Sequence, residues 1–305
     1  MKKVFIIGVT RSGSKLHQKT LNKNSKINIS SEIGFLNPWW LGPDFKRVVE
    51  NKIGDLKNNS NVDMLIDMMY DNLLERTFWK IENGIYSINK EKLRKRIINS
   101  NRDLKSIIAI LLEEHAKAKN KKIAGAKYPV NIINAQNLYD LFPSAKYIHL
   151  IRDPRAVYLS ANWNQIQNLL KKSRYAYLIK PFIKILSLMY LKNQYQHSVN
   201  FYKKNKNKDN YYLSRFEDVV RNPEKFLKKL YSFLEIEYPK QISLPPLPYR
   251  EYNKDSGYCS NGKYGFDKKE LTKWKKYMSP FSEKYINFFF KKEMNEFGYY
   301  EYSMD

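Results

Sequence analysis

Two short stretches hold the residues from which a reaction site can be built. The first reads Phe5-Ile6-Ile7-Gly8-Val9-Thr10-Arg11-Ser12-Gly13-Ser14-Lys15-Leu16. An apolar, β-branched run feeds a turn with two glycines and then residues able to open a helix. Backbone N–H groups at a helix head after such a turn suit a phosphate or sulfate. Gly8 and Gly13 bracket four residues, the spacing of a nucleoside-triphosphate loop. That loop, however, needs Lys directly after the second glycine and Ser or Thr after the Lys. Here Ser14 precedes Lys15, which disfavours a magnesium-dependent NTPase or kinase. Taken alone, the stretch also reads as a Gly/Ser turn with no ligand.

The second stretch, residues 146–160, reads Lys-Tyr-Ile-His-Leu-Ile-Arg-Asp-Pro-Arg-Ala-Val-Tyr-Leu-Ser. Another apolar strand ends in Arg152-Asp153-Pro154-Arg155, and a helix follows. Pro154 suits the first helical turn and Asp153 its N-cap. Arg152 stands at the strand's carboxyl end and Ser160 two turns into the helix, placed to meet at one anion. Strand carboxyl ends are where open α/β sheets bind ligands.

The elements that must position these residues follow from hydrophobic pattern. Val4 to Val9 reads as a buried parallel strand, Lys15 to Asn22 as a helix and Lys26 to Ser30 as a short strand. Residues 35–114 are mainly helical in pattern, with polar interruptions at Asn58-Asn59-Ser60-Asn61 and Asn83-Gly84. Lys122 to Lys127, Lys146 to Ile151 and Tyr211 to Arg215 read as strands, and Ile132 to Phe142 as a helix. Strands alternating with helices predict a parallel sheet covered on both faces. Tyr175 to Leu191, interrupted by Pro181, is open to three readings: an amphipathic packing helix, a lid over an acceptor, or an interfacial membrane contact. Ser243 to Pro248, with three prolines, is expected to be an extended loop.

Composition narrows the classes. Lys+Arg number 55 against 30 Asp+Glu in 305 residues, a formal charge of +25. That excess suits a polyanionic ligand, an anionic membrane surface or nucleic acid. It also fits a chain rich throughout in Lys, Asn, Ile and Tyr, as AT-rich genomes encode. Tyrosines are spread along the whole sequence rather than interleaved with Lys/Arg on one element, so nucleic acid is not an expected partner. One cysteine, Cys259, excludes an intramolecular disulfide framework, and four histidines leave little for a metal enzyme. There is no apolar run of 18 residues and no signal-peptide core, so the expectation is a soluble, cytoplasmic protein.

Together the two stretches resemble the sulfotransferases that use 3′-phosphoadenosine 5′-phosphosulfate (PAPS). That family carries an Arg/Lys-Ser-Gly-Thr/Ser-Thr/Ser loop for the 5′-phosphosulfate, matched here by Arg11-Ser12-Gly13-Ser14-Lys15. It also pairs an Arg and a Ser eight residues apart for the 3′-phosphate, matched by Arg152 and Ser160. Residues 212–223, which include Phe216-Glu217-Asp218 and Pro223, resemble the family's Tyr-Glu-Asp-Leu…Pro segment. Phe233-Leu234, Trp274 and Phe297-Gly298-Tyr299 resemble its usual ending. The resemblance implies a P-loop NTPase-like three-layer α/β fold in a single domain over 1–305, with a mainly helical insertion at about 35–118.

It also implies roles. Sulfuryl transfer is an in-line displacement that needs a cation beside the departing phosphate, donors around the sulfonate and a base for the acceptor's proton. Arg11 and Lys127 resemble the cations that the family sets against the leaving group, and no metal is required. The Lys-x-His base of the phenol- and steroid-sulfating branch is missing, since Pro129 stands where that His would be. Branches acting on tyrosyl proteins and sugars use a Glu soon after the first helix, and Glu32 lies 21 residues after Arg11. It reads either as the base or as a loop carboxylate paired with Arg11 or Lys127. Ser256 and Lys263 fall where family members close over the nucleotide. Phe216 replaces a frequent Tyr, and Lys15 a frequent Ser or Thr. The acceptor implied is a carbohydrate or other alcohol, with protein tyrosine or a lipid as alternatives.

Overall fold

The computed structural model describes residues 1–31, 45–70, 87–161, 176–238, 246–249, 259–264 and 267–299. Its centre is a five-stranded parallel sheet, ordered β2-β3-β1-β4-β5 and flanked by helices. The strands are β1 (Lys2–Gly8), β2 (Ile27–Ser30), β3 (Ile123–Tyr128), β4 (Lys146–Ile151) and β5 (Tyr211–Arg215). A separate antiparallel pair joins β6 (Pro246–Tyr249) to β7 (Cys259–Tyr264). Between them run α1 (Ser14–Asn22), α2 (Phe45–Val48), α3 (Asn59–Tyr70), α4 (Lys90–Ile98), α5 (Leu104–Ala118) and α6 (Ala135–Leu141). Then come α7 (154–161), α8 (Ala176–Asn205), α9 (Phe216–Arg221), α10 (Pro223–Leu234), α11 (Lys269–Tyr277), α12 (Pro280–Phe289) and α13 (Lys291–Glu296).

The chain divides into two compact units. One comprises Met1–Gly8, Leu21–His149 and Asn205–Tyr212; the other comprises Val9–Thr20, Leu150–Lys204 and Leu213–Asp305. In the first unit, β1 is buried from Val4 to Gly8 and β3 along its whole length. Central parallel strands are covered on both faces, which is why they read as unbroken apolar runs. Their register sets Val4 against Gly125. A Cβ at Gly125 would lie 2.2 Å from the Val4 carbonyl oxygen, so only glycine allows this backbone approach. Phe5 packs among the rings of Tyr128, Phe142 and Tyr147, with centroids 5.3–6.0 Å apart. Helix α5 is capped by Asp103, whose carboxylate accepts from the Ser106 amide at 2.7 Å. It buries Ile107, Ile108, Leu111 and Leu112.

The core of the second unit gathers Val9, Ile151 and Val157 with Leu188, Leu191 and Tyr195 of α8 and with Ile286, Phe290, Met294, Phe297 and Tyr299. Each large apolar side chain buried here contributes about 1.5–3 kcal/mol.

Four local expectations need correction. Helix α8 runs through Pro181 instead of being broken there. The proline is the sixth residue of α8, so it removes the bond that position 181 would donate to the carbonyl of residue 177. The helix nevertheless continues past it to Asn205. Helix α3 begins inside the Asn58–Asn61 run: Asn58 Oδ1 accepts from the Ser60 amide at 3.1 Å, so the run starts a helix as well as interrupting one. Residues 246–248, expected in a loop, lie in strand β6, with a bulge between Pro246 and Pro248. Such an irregular two-stranded ribbon accommodates proline because only part of each strand must donate. Ile132 to Phe142 is a 3₁₀ turn (Pro129–Asn134) followed by α6. On α8, Phe182, Ile185, Leu186 and Met189 are exposed at helical spacing, while Leu188, Leu191 and Tyr195 reach the core. No described helix is long and apolar enough to cross a membrane.

Candidate functional site: two turns at the ends of neighbouring strands

The turn after β1 is held at both ends. Val9 N donates to the Leu150 carbonyl at 3.2 Å, and Thr10 N to Gln194 Oε1 of α8 at 2.9 Å. Between them Arg11 adopts φ 67°, a left-handed conformation that costs a non-glycine residue of order 1 kcal/mol or more. Gly13 follows at φ 90°. The first intrahelical bond of α1 runs from His17 N to the Gly13 carbonyl, so the amides ahead of it form the positive head of the helix. Ser12 is buried and its Oγ has no hydrogen-bond partner among the described residues. Leaving such a group unsatisfied costs about 1–3 kcal/mol.

His17 secures the loop from below. Its Nδ1 lies 3.0 Å from the Gly13 oxygen and its Nε2 2.9 Å from Ser214 Oγ. Burial lowers its pKa to about 4, so the ring is neutral at pH 7. It is a packing residue, not a base.

The turn after β4 is built from buried charge. Asp153 Oδ1 accepts from the Arg155 amide at 2.8 Å, the capping bond expected for α7. The same carboxylate takes Arg155 Nε at 2.9 Å and Nη2 at 2.7 Å. The Arg155 guanidinium lies 4.1 Å over the Trp274 ring and donates to the Tyr299 carbonyl at 3.2 Å. Asp153 N donates to Glu217 Oε1 at 3.0 Å, and Tyr299 OH to Glu217 Oε2 at 2.8 Å. Burial pushes the Glu217 carboxyl above its ordinary range, although these two hydrogen bonds oppose the shift. The Tyr195 hydroxyl donates to the Arg152 carbonyl.

At Arg11 the two turns meet. Arg11 Nε donates to Ser160 Oγ at 3.1 Å, and Arg152 Nη1 to the Arg11 carbonyl at 3.3 Å. The Phe216 ring lies 4.1 Å from the Arg152 guanidinium carbon. It also sits against Gly13, where a Cβ would come within 2.8 Å of it. Arg152 Nη2 reaches Glu270, at 3.1 Å from its carbonyl and 3.2 Å from Oε2. Arg152 Nε is buried and has no partner among the described residues. Arg11, Ser12, Gly13, Ser160, Arg152 and Phe216 thus form one cluster of cations, hydroxyls and amides, the composition of an anion site.

A model of the sulfotransferase family matches residues 3–240. The chain belongs to that family. Among solved structures, a sulfotransferase domain from the curacin biosynthetic pathway is similar at 18% identity and TM-score 0.58, with 98% of each chain covered. A sulfotransferase domain of the Synechococcus PCC 7002 olefin synthase matches at 19% identity and TM-score 0.53, covering 92% of this chain and 89% of that one. A sulfotransferase from Alicyclobacillus acidocaldarius matches at 13% identity and TM-score 0.51, with 97% and 94% covered. These likenesses support the fold. A sequence search of curated proteins gives no match.

The remaining expected site residues of this sulfotransferase fall as follows. Lys127 is buried on β3, opposite Ile6 in register, and belongs to the first unit. Ser14 opens α1, and Lys15 is an exposed residue of its first turn. Lys263 lies on β7. Glu32 and Ser256 lie outside the described residues. His149 is an in-sheet residue on β4, 2.6 Å from the Tyr211 hydroxyl. Sequence reasoning assigned no part to Tyr195, Arg155, Glu217 or Glu270. For Arg155 the signal was available, since a second arginine directly follows Asp153-Pro154. For Glu270 there was none.

Proposed function

We propose that this sulfotransferase uses PAPS as its donor and passes the sulfuryl group to an acceptor hydroxyl, most simply that of a carbohydrate. The observation that carries the reading is the joining of both motifs at one place: Arg11 bonded to Ser160, and Arg152 bonded to the Arg11 backbone. A nucleotide with anions at both its 5′ and 3′ positions fits this composition. Two buried donors, Ser12 Oγ and Arg152 Nε, lack partners among the described residues and would gain them from such a ligand.

Ser12, Gly13, Ser14 and Lys15 are assigned to the 5′ side, and Arg152, Ser160 and Phe216 to the 3′-phosphate side. Ser256 and Lys263 close over the nucleotide. The donor supplies the sulfuryl group and departs as 3′-phosphoadenosine 5′-phosphate (PAP). Arg11 and Lys127 bring positive charge to the phosphate that departs. Glu32 takes the proton of the acceptor hydroxyl as its oxygen bonds to sulfur. The basic surface attracts an anionic glycan. A lipid-like alcohol is the second reading, favoured by the exposed Phe182, Ile185, Leu186 and Met189 on α8.

Calorimetric titration with PAP, AMP and Mg-ATP tests the donor. PAP should bind far more tightly than AMP without magnesium, and Arg152→Ala should abolish most of that preference. A preference for Mg-ATP would overturn the reading. On the same protein, Glu32→Gln should lower turnover and leave PAP affinity within about twofold; normal turnover would remove Glu32 as base.

A further inference from the structure

Arg152 carries a full charge with 6% of the residue exposed. A cation so buried needs an anion. Among the described residues the carboxylate in direct contact with it is Glu270, on the first turn of α11, with buried Glu217 acting at longer range. Glu270 is held from both sides: Oε2 lies 3.2 Å from Arg152 Nη2, and Oε1 lies 3.0 Å from Lys273 Nζ one turn further along the helix. Burial alone would raise the Glu270 carboxyl, but Arg152 and Lys273 more than offset it and hold it below its usual range. At neutral pH this is an ion triad of one carboxylate between two cations.

We propose that Glu270 is a specificity-determining residue of the 3′-phosphate position: its carboxylate occupies Arg152 and Lys273 until a 3′-phosphorylated nucleotide arrives, and yields both cations to that phosphate. The inference rests on the assignment of Arg152 made above. Three features support it. A phosphate monoester carries close to two negative charges at neutral pH, so phosphate and carboxylate repel one another strongly if both stay on Arg152. The Glu270 side chain is 35% exposed, so it leaves for solvent with little further desolvation. An acidic residue at the head of a helix also remains favourably placed after it lets go of Arg152.

This arrangement makes discrimination depend on charge. Only a ligand bringing more negative charge than a carboxylate displaces Glu270, and doing so gives it Lys273 as well as Arg152. A nucleotide with a bare 3′-hydroxyl leaves the triad intact.

The test is titration of wild-type, Glu270→Gln and Lys273→Met proteins with PAP and with AMP, after thermal scans confirm that each is folded. Glu270→Gln should tighten PAP about tenfold and leave AMP within twofold; Glu270→Ala should do the same if the glutamine variant is poorly folded. Lys273→Met should weaken PAP severalfold and leave AMP alone. A static positioning role for Glu270 predicts the opposite sign, so weaker or unchanged PAP binding in Glu270→Gln would overturn the proposal. Unchanged PAP binding in Lys273→Met would overturn the transfer of that cation. Wild-type protein that binds PAP no better than AMP would instead overturn the nucleotide reading itself, and this inference with it.

Discussion

The turns after β1 and β4 share a plan. Each follows a buried strand of one sheet, each leads into a helix and each carries an arginine, yet their polar groups are treated in opposite ways. After β4, the Asp153 carboxylate, its amide and the Arg155 guanidinium are paired with one another and with Glu217, Tyr299 and Trp274. After β1, the backbone is strained at Arg11 and the buried Ser12 hydroxyl has no partner among the described residues. A fully paired network in a low-dielectric interior is rigid. A loop with unmet donors stores part of what a ligand later releases. One turn is therefore a fixture that aims Arg152; under the proposed function the other, together with Arg152, receives the ligand.

Substitutions should separate fixture from receptor. The largest effect is expected at Arg155→Ala, which leaves the buried Asp153 carboxylate without its counterion. It should cost about 3–5 kcal/mol in thermal or denaturant unfolding; a loss below about 1 kcal/mol would break the distinction. Gly13→Ala is intermediate. The new methyl meets the Phe216 ring in a backbone conformation that alanine resists, so about 2 kcal/mol of stability and much of the PAP affinity should go together. Ser12→Ala should cost no stability and gain about 1 kcal/mol or more, because it removes a buried hydroxyl with no partner among the described residues. Its PAP affinity should nevertheless fall roughly fivefold. A Ser12→Ala protein that loses stability but binds normally would reverse the two roles.

The sequence made some of this legible and hid the rest for identifiable reasons. Strands β1 and β4 are visible because burial on both faces forces apolar runs containing Val or Ile. The edge strand β5, only partly buried and without a β-branched residue, still begins and ends where its residues predict. Pro181 does not mark a break in α8, because a 30-residue helix packed against the core through Leu188, Leu191 and Tyr195 tolerates one lost backbone bond. The β6–β7 ribbon was hidden because proline-rich segments carry no pairing signal of their own. Within the site, Arg11, Arg152 and Ser160 were legible through spacing inside two local motifs. Their supports were not: the partners of Thr10, Arg152 and Arg155 lie 184, 118 and 144 positions away. No local pattern encodes a hydrogen bond of that range.

Helix α8 adds a consequence in time. Its adjacent residues Gln194 and Tyr195 hold the backbone of both turns, one at Thr10 and the other at Arg152. During synthesis β1 through β4 leave the ribosome before these clamps exist. Another hundred or so residues must then be added before Tyr299 reaches Arg155, roughly 5–20 s at ordinary elongation rates. At the start of that interval the nascent chain has β1 to β4 but not β5, and throughout it the turn after β4 lacks its contact with Tyr299. If the proposed donor is right, PAPS in the surrounding solution acts on this protein only as a late stabiliser, after most of the folding decisions have been made.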